Sequence, residues 1–399
     1  MKLIGLTALF FVFCLWSPKW ANCASLDVIF KRCPFEKKAP VNQNCKDKTE
    51  KVFNGSIVIS LTGTIDLEDT DKLQTFLTKH VAGGNRAMGY DGSFVTLLMN
   101  DKDGGDYDAG IRLGRFLREN AIRTRIVNGA TCASACALAF MGGASIPGRL
   151  FNLGSDRTLE AGGHLIFHTP WGRFDSQSGS LNASQIGDIF RQVYTNLSDY
   201  AATVGIPAPI LTQVLNVKRN GVFEVDTVFW ARISGVAVDG FVRKNQLADD
   251  DYKNACYSEF SWNYGFEGVF VDDNSAEAVQ SQKTFNGVDV IADTATEVLT
   301  GIGRGFNTGL DLYCIFSKGG TDLGIDEQIL AGIKDRNGAL PDSEEKISPN
   351  RWYSKIDNVS AFQAVPVRGK HKELYFYTPG TKLTVIADKS YVWRGYEDE

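Results

Sequence analysis

Between Ile57 and Ala139, apolar runs of strand length alternate with segments whose apolar residues recur at helical spacing, and glycines stand at the joins. No other feature constrains the fold as tightly. Ile57 to Leu61 is a β-branched run broken by Gly63, which marks a buried strand. A helix follows: Asp69 or Thr70 can cap it, and Leu73, Phe76, Leu77 and His80 fall at i, i+3, i+4 and i+7 on one face. On that face His80 is a terminal or core histidine. Phe94 to Met99 is a second apolar run, followed by Asn100-Asp101-Lys102-Asp103-Gly104-Gly105 and by a helix whose stripe is Ala109, Leu113, Phe116 and Leu117. Gly110 and Gly114 lie inside that helix, where glycine costs propensity, so they predict close approach by a neighbouring backbone. Arg112, Arg115 and Arg118 form its solvated face. Ile122 to Val127 is a third strand, and the small-residue segment Ala130 to Ala139, too long for a strand, is expected to be a third helix. Strands alternating with helices imply an α/β fold with a largely parallel sheet, whose ligand sites gather at the carboxyl ends of the strands. Gly104-Gly105 and the turn from Gly129 to Ser134 occupy those ends.

Further along, Leu165 to Phe167 is a short strand ending at His168-Thr169-Pro170. A long helix runs from Ser184, with Ile186, Ile189, Phe190, Val193, Tyr194, Leu197, Tyr200, Ala201 and Val204 as a core stripe, until Gly205 and Pro207 stop it. Ile210 to Leu215 and Thr227 to Ile233 are two short helices, the second capped by Asp226. From about Leu247 helical periodicity fades and glycines and aromatics rise. Leu374 to Tyr377 and Leu383 to Ala387 flank a Thr-Pro-Gly-Thr turn, which predicts a hairpin in a second, mostly β domain. This region holds no catalytic constellation, and His371 beside two lysines is an exposed residue.

With 42 Lys plus Arg against 47 Asp plus Glu, and no polybasic run, the chain lacks the charge that phosphate backbones demand, which excludes nucleic acid as the expected partner. Leu3 to Trp16 is uncharged and follows Lys2, but its 14 residues fall short of the ~20 a spanning helix needs. It reads as a signal peptide cleaved by Ala24, with no stable membrane span after removal and a periplasmic or secreted destination. Losing Lys2 and Lys19 takes the basic count from 42 to 40 against 47 acidic residues, a net charge of −7. Six cysteines beyond Cys23 could then pair in an oxidising compartment; proximity favours Cys33 with Cys45 and, more weakly, Cys256 with Cys314. No C-x-x-C pair exists, so no metal site is expected. The expected organisation is a signal peptide over 1–24, an N-terminal segment over 25–52, an α/β domain over 53–246 and the β-rich region over 247–399.

A hydrolytic serine needs an exposed hydroxyl, a base and donors for the oxyanion. Ser134, in Gly-Ala-Thr-Cys-Ala-Ser-Ala-Cys, sits where a strand turns into a helix, so free backbone N–H groups and the helix dipole favour negative charge there. The Ala135 amide is one candidate donor, the Gly104-Gly105 loop offers a second, and His168 at the end of its strand is the candidate base. Cys132 and Cys136 flank the serine. As small buried packing residues they need no further role; a mutual disulfide or redox control is the sharper reading. Asp101 to Asp106 is not a calcium loop, because the position that needs a bidentate Glu is Arg112.

The order of these elements resembles the Clp-type serine peptidases of the Clp protease and crotonase superfamily. The resemblance runs from about Ile57 to Asp239 and rests on Asp-Gly-Gly-Asp, Cys-Ala-Ser-Ala-Cys, Leu-Ile-Phe-His-Thr-Pro and the closing Gly235-Val236-Ala237-Val238-Asp239. With the signal peptide it is most similar to exported bacterial Clp-like proteins. It implies a repeated β-β-α core, ring-like homo-oligomers, a peptide or protein substrate and no cofactor. It further implies Ser134 as nucleophile, His168 as base, and the Gly105 and Ala135 amides as the oxyanion hole. The family's aspartate falls at Val217, which cannot orient an imidazole; Asn216 could do so, leaving either a Ser-His-Asn triad or a dyad. Asp103 replaces a proline before the glycine pair. No G-x-x-x-x-G-K-[ST] element is present, so ATP-driven unfolding is not expected of this chain. The alternative reading is a Clp-like fold used as a binding or assembly module.

Overall fold

The computed structural model describes residues 24–32, 56–80, 95–146, 154–169, 183–218, 221–244, 247–252, 254–255, 288–293, 297–302, 310–317, 330–335, 374, 376–378 and 380–393. The fold is mixed α/β. Its elements are β1 (Ser25–Arg32), β2 (Ser56–Thr62), α1 (Asp69–His80), β3 (Val95–Asn100), α2 (Tyr107–Glu119), β4 (Arg123–Ile126), β5 (Thr131–Ala133), α3 (Ala135–Phe140), β6 (Ala144–Ser145), β7 (Gly154–Ser155), β8 (Arg157–Glu160), β9 (His164–Phe167), α4 (Ala183–Val204), α5 (Ala208–Asn216), β10 (Phe223–Glu224), α6 (Val228–Ile233) and β11 (Ala237–Asp239).

Six strands form the main sheet in the order β1-β2-β3-β4-β8-β11, parallel throughout except for β1, which runs antiparallel along β2. Ile57, Val58, Ile59 and Leu61 of β2 are buried, as the near-continuous apolar run of an interior parallel strand requires. Edge strand β1, antiparallel to β2, was not anticipated. Leu73 and Leu77 of α1 and Ala109, Leu113 and Leu117 of α2 bury their stripes as expected.

The two glycines of α2 do mark close approaches. A Cβ on Gly110 would stand 2.6 Å from the carbonyl oxygen of Ala135, and Gly114 lies against the phenol of Tyr200, whose hydroxyl donates to Leu138 O at 2.6 Å. Thus α2 carries α3 and the second half of α4 directly on its backbone. The α4 stripe is core only in that half. Leu197, Tyr200, Ala201 and Val204 are buried, whereas Ile186, Ile189, Phe190 and Val193 are half-buried and Tyr194 is exposed.

Three expectations are corrected. The segment Ala130 to Ala139 is not one helix: Thr131–Ala133 pairs as β5 with β9 before α3 begins at Ala135. Pairing with β9 and the bonds from Asp101 N–H to Thr131 O (2.7 Å) and from Ala133 N–H to Asp101 O (2.9 Å) hold these residues extended, and Thr131 and Cys132 have little helix propensity to oppose it. Helix α6 is capped by Thr227, whose hydroxyl accepts from Trp230 N–H at 3.2 Å, while Asp226 instead pairs with Lys382 at 2.5 Å. The third correction concerns the end of the chain. Residues 288–335 contain an antiparallel meander, β12 (Val288–Asp293), β13 (Glu297–Ile302), β14 (Leu310–Ser317) and β15 (Leu330–Asp335). The expected hairpin beyond it does not form. Leu383–Ile386 is a single helical turn, α7, and the described residues between 374 and 393 pack on the α/β unit, burying Leu374, Phe376, Leu383 and Ile386. Bridges Thr227↔Lys382 and Phe241↔Ala387 fix this segment.

The signal segment, Cys33, Cys45, Cys256 and His371 lie outside the described residues, as does the side chain of Cys314. Among the described residues, no helix is long and apolar enough to cross a membrane, and no group of three His, Cys, Asp or Glu could hold a metal ion.

Candidate active site

A second, three-stranded sheet in the order β10-β9-β5 carries the candidate nucleophile and base. Strands β5 and β9 are parallel, with Thr131, Cys132 and Ala133 opposite His164, Leu165 and Ile166. Ser134 and His168 therefore leave the same end of neighbouring strands, which lie ~4.8 Å apart in a sheet. Ser134 is level with Phe167, and its N–H donates to Ile166 O at 2.9 Å. His168 is one residue further and half-buried.

Ser134 has φ 56° and ψ −117°. A side-chain-bearing residue held in such a region costs about 1–3 kcal/mol and persists only where its surroundings over-determine it. Here they do. Ser134 is pinned by the bond to Ile166 and by Leu138 N–H donating to its carbonyl at 3.1 Å, and it is bracketed by a Cys132–Cys136 disulfide with both sulfurs' residues buried. The disulfide, rather than mere packing, is what these two cysteines form. On the remaining side stands Gly104 at φ +81°, where a Cβ would lie 2.5 Å from the Ser134 Cβ and 3.2 Å from its Oγ. A sharp, strained strand-to-helix turn is the geometry that lifts a serine hydroxyl clear of its own backbone. Consistent with this, the hydroxyl does not cap α3.

The loop facing the serine is organised by a residue the sequence reading passed over. Asp101 is 3% exposed, and its carboxylate accepts from Asp103 N–H (2.9 Å), Gly104 N–H (3.0 Å) and Ile65 N–H (3.3 Å), the last shared with Gly104 O at 3.0 Å. Burial pushes its pKa up to about 6 against the pull of those three donors. The next amide is also used: Asp106 N–H donates to Ile65 O at 3.0 Å. Gly105 pairs with Ile65 in a parallel bridge through its neighbours' groups, so its own N–H faces the other way, unpartnered among the described residues. Ala135 is the first residue of α3, and its N–H has no intrahelical acceptor. Among the described residues the Gly105 and Ala135 amides are thus without an acceptor, as are those of Cys136 and Ala137 in the same first turn of α3. The visible signal for Asp101 was a carboxylate at the end of a buried strand, three residues before a glycine pair.

Behind His168, Thr169 is buried and its hydroxyl lies 2.7 Å from both Val214 O and Val217 O, so it pins the end of α5 to this strand. Position 217 therefore lies beside the histidine strand, but carries a valine. Asn216 ends α5 as an exposed residue and has no hydrogen bond to His168. Among the described residues, neither the Ser134 hydroxyl nor the His168 ring has a hydrogen-bond partner. His164 Nδ1 does lie 2.7 Å from Glu224 Oε1, but His164 is four residues, ~13 Å, back along β9, so that carboxylate is not placed to orient His168.

No family model and no curated protein matches the chain. Among solved structures it is similar to a variant of the 1510-N membrane-bound stomatin-specific protease, at 16% identity and a TM-score of 0.31, covering 47% of this chain and 78% of that one.

Proposed function

We propose that the chain is an exported, ATP-independent serine hydrolase of the Clp/crotonase type, acting on peptide or protein substrates through a Ser134 acyl-enzyme. The observation that carries this reading is the backbone of Ser134: a serine held at φ 56° on a strand-to-helix turn, beside a glycine loop and a neighbouring strand that ends in His168. In the proposed reaction His168 takes the hydroxyl proton as Oγ attacks the substrate carbonyl. The Gly105 and Ala135 N–H groups receive the resulting oxyanion, where a single donor contributes ~3 kcal/mol to the transition state. Collapse expels the amine or alcohol with the proton from His168, and water, activated by the same imidazole, hydrolyses the ester. His168 works here with Ser134 as a dyad, since the end of α5 offers it a valine at 217 and an exposed Asn216.

A fluorophosphonate probe tests this. Wild-type protein is expected to label at one site and Ser134→Ala and His168→Ala to lose labelling; persistent labelling of Ser134→Ala, or none of wild type, overturns it. The unjoined hydroxyl and ring favour one other reading, a Clp-type fold retained as a binding or assembly module. That reading predicts a biological phenotype unchanged by Ser134→Ala.

A further inference from the structure

We propose that Asp101 is the positioning residue of this site: by gathering the N–H groups of Ile65, Asp103 and Gly104 onto one buried carboxylate, it leaves the Gly105 N–H as the donor which that turn presents to an oxyanion. The oxyanion role rests on the hydrolase reading. The anchoring is a property of the loop and is measurable without substrate.

The argument is one of donor and acceptor counting. An ionised carboxylate only accepts, and here its two oxygens meet three N–H groups from both sides of the turn, Oδ1 taking Asp103 and Gly104 and Oδ2 taking Ile65. The same residue's backbone joins β3 to β5 through Thr131 and Ala133, one residue before Ser134. Asp101 therefore sets the loop and the serine turn against each other from a single point. A proton on Oδ1 would confront the Asp103 and Gly104 N–H groups with an O–H, whereas a proton on Oδ2 would displace only the Ile65 N–H, which also donates to Gly104 O at 3.0 Å. Burial places that event near pH 6, with the neighbouring Asp103 pushing in the same direction. Ile65 on the facing turn, Gly104 and Thr131 to Ala133 on β5 carry no titratable group, so among the described residues bonded to Asp101 the ionisable neighbour is Asp103.

The test separates the loop from the chemistry. In purified His168→Ala protein, which removes the site's own imidazole, amide proton shifts of Ile65, Asp103 and Gly104 are followed by NMR from pH 4.5 to 8. One common midpoint near 6 is expected, absent in the Asp101→Asn, His168→Ala double variant. Flat amides, or a titration that survives Asp101→Asn, overturn the proposal. In the His168-containing protein, Asp101→Asn should lower the kcat for an ester substrate by roughly 10- to 100-fold with KM changed less than about twofold, while Asp188→Asn, at an exposed residue of α4, stays within about twofold on both. Equal kcat in Asp101→Asn and wild type overturns the positioning role. The NMR arm needs no folded Asp101 variant to give its first result. If wild type lacks all activity while the three amides titrate together, the hydrolase reading falls and the anchor stands.

Discussion

At the scale of single residues, the site is defined by contacts that admit little substitution. Gly104→Ala places a methyl group 2.5 Å from the Ser134 Cβ at a φ of +81°. It is expected to abolish probe labelling and to lower stability by about 2 kcal/mol or more, read from a urea midpoint. Asn216→Ala, in contrast, should change kcat/KM by less than about twofold, because that side chain is exposed at the end of α5. A fall of a hundredfold would reinstate it as the orienting group. Asp101 also carries a stability signature whose sign follows from its raised pKa. Between about 3.8 and about 6 the folded chain binds a proton that the unfolded chain has released, so this group makes the fold more stable as pH falls through that window and less stable as pH rises through it. The full difference is of order 3 kcal/mol, and Asp101→Asn should flatten it in a pH series of urea midpoints. Ser134, His168, Gly105 and Ala135 could be named from the sequence as candidates by residue type and position. The Asp101 carboxylate was not, because its importance comes from three amides, one of them 36 residues away.

At the scale of elements, alternation and spacing gave β2, α1, β3, α2 and β4, where a strand or helix is set by its own apolar pattern. They failed where pairing decides. Thr131–Ala133 is a strand because β9 and Asp101 supply its hydrogen bonds, and Leu383–Ile386 is a helical turn because Asp226 receives its first N–H. The element that carries Ser134 is short and strained, and its disulfide closes a loop of only five residues, Cys132 to Cys136. A chain-entropy estimate for so small a loop is about 2 kcal/mol. The Cys132→Ala, Cys136→Ala double variant should lose about that much stability and label with fluorophosphonate more slowly than wild type. Intact-mass measurement under non-reducing conditions should show the bond's two missing hydrogens.

At the scale of the whole molecule, the carboxyl-terminal residues belong to the α/β unit they follow at a distance. Arg125 of β4 is buried between Glu160 (2.9 Å) and Asp239 (2.5 Å), Tyr391 donates to Asp239 at 2.8 Å, and the Trp393 ring lies 4.5 Å from the guanidinium. Removing one partner of such a cluster leaves buried charge without compensation. Arg125→Ala is expected to cost about 3–5 kcal/mol, and a chain ending before Leu374 should lose cooperative unfolding, as monitored by circular dichroism. A truncated chain that melts like the full one would show that these contacts contribute nothing. By itself the amino-acid order determined the periodic strands and helices, the mixed α/β class, the close-packed glycines of α2 and the position of a serine at a strand-to-helix junction, since each follows from local spacing and backbone preference. Tertiary structure alone decided the split of the 130–139 segment, the Asp101 anchor, the disulfide beside Ser134 and the docking of residues 374–393. Those depend on which distant groups meet, and the pairing of buried hydrogen-bonding and charged groups leaves no periodic trace in a sequence.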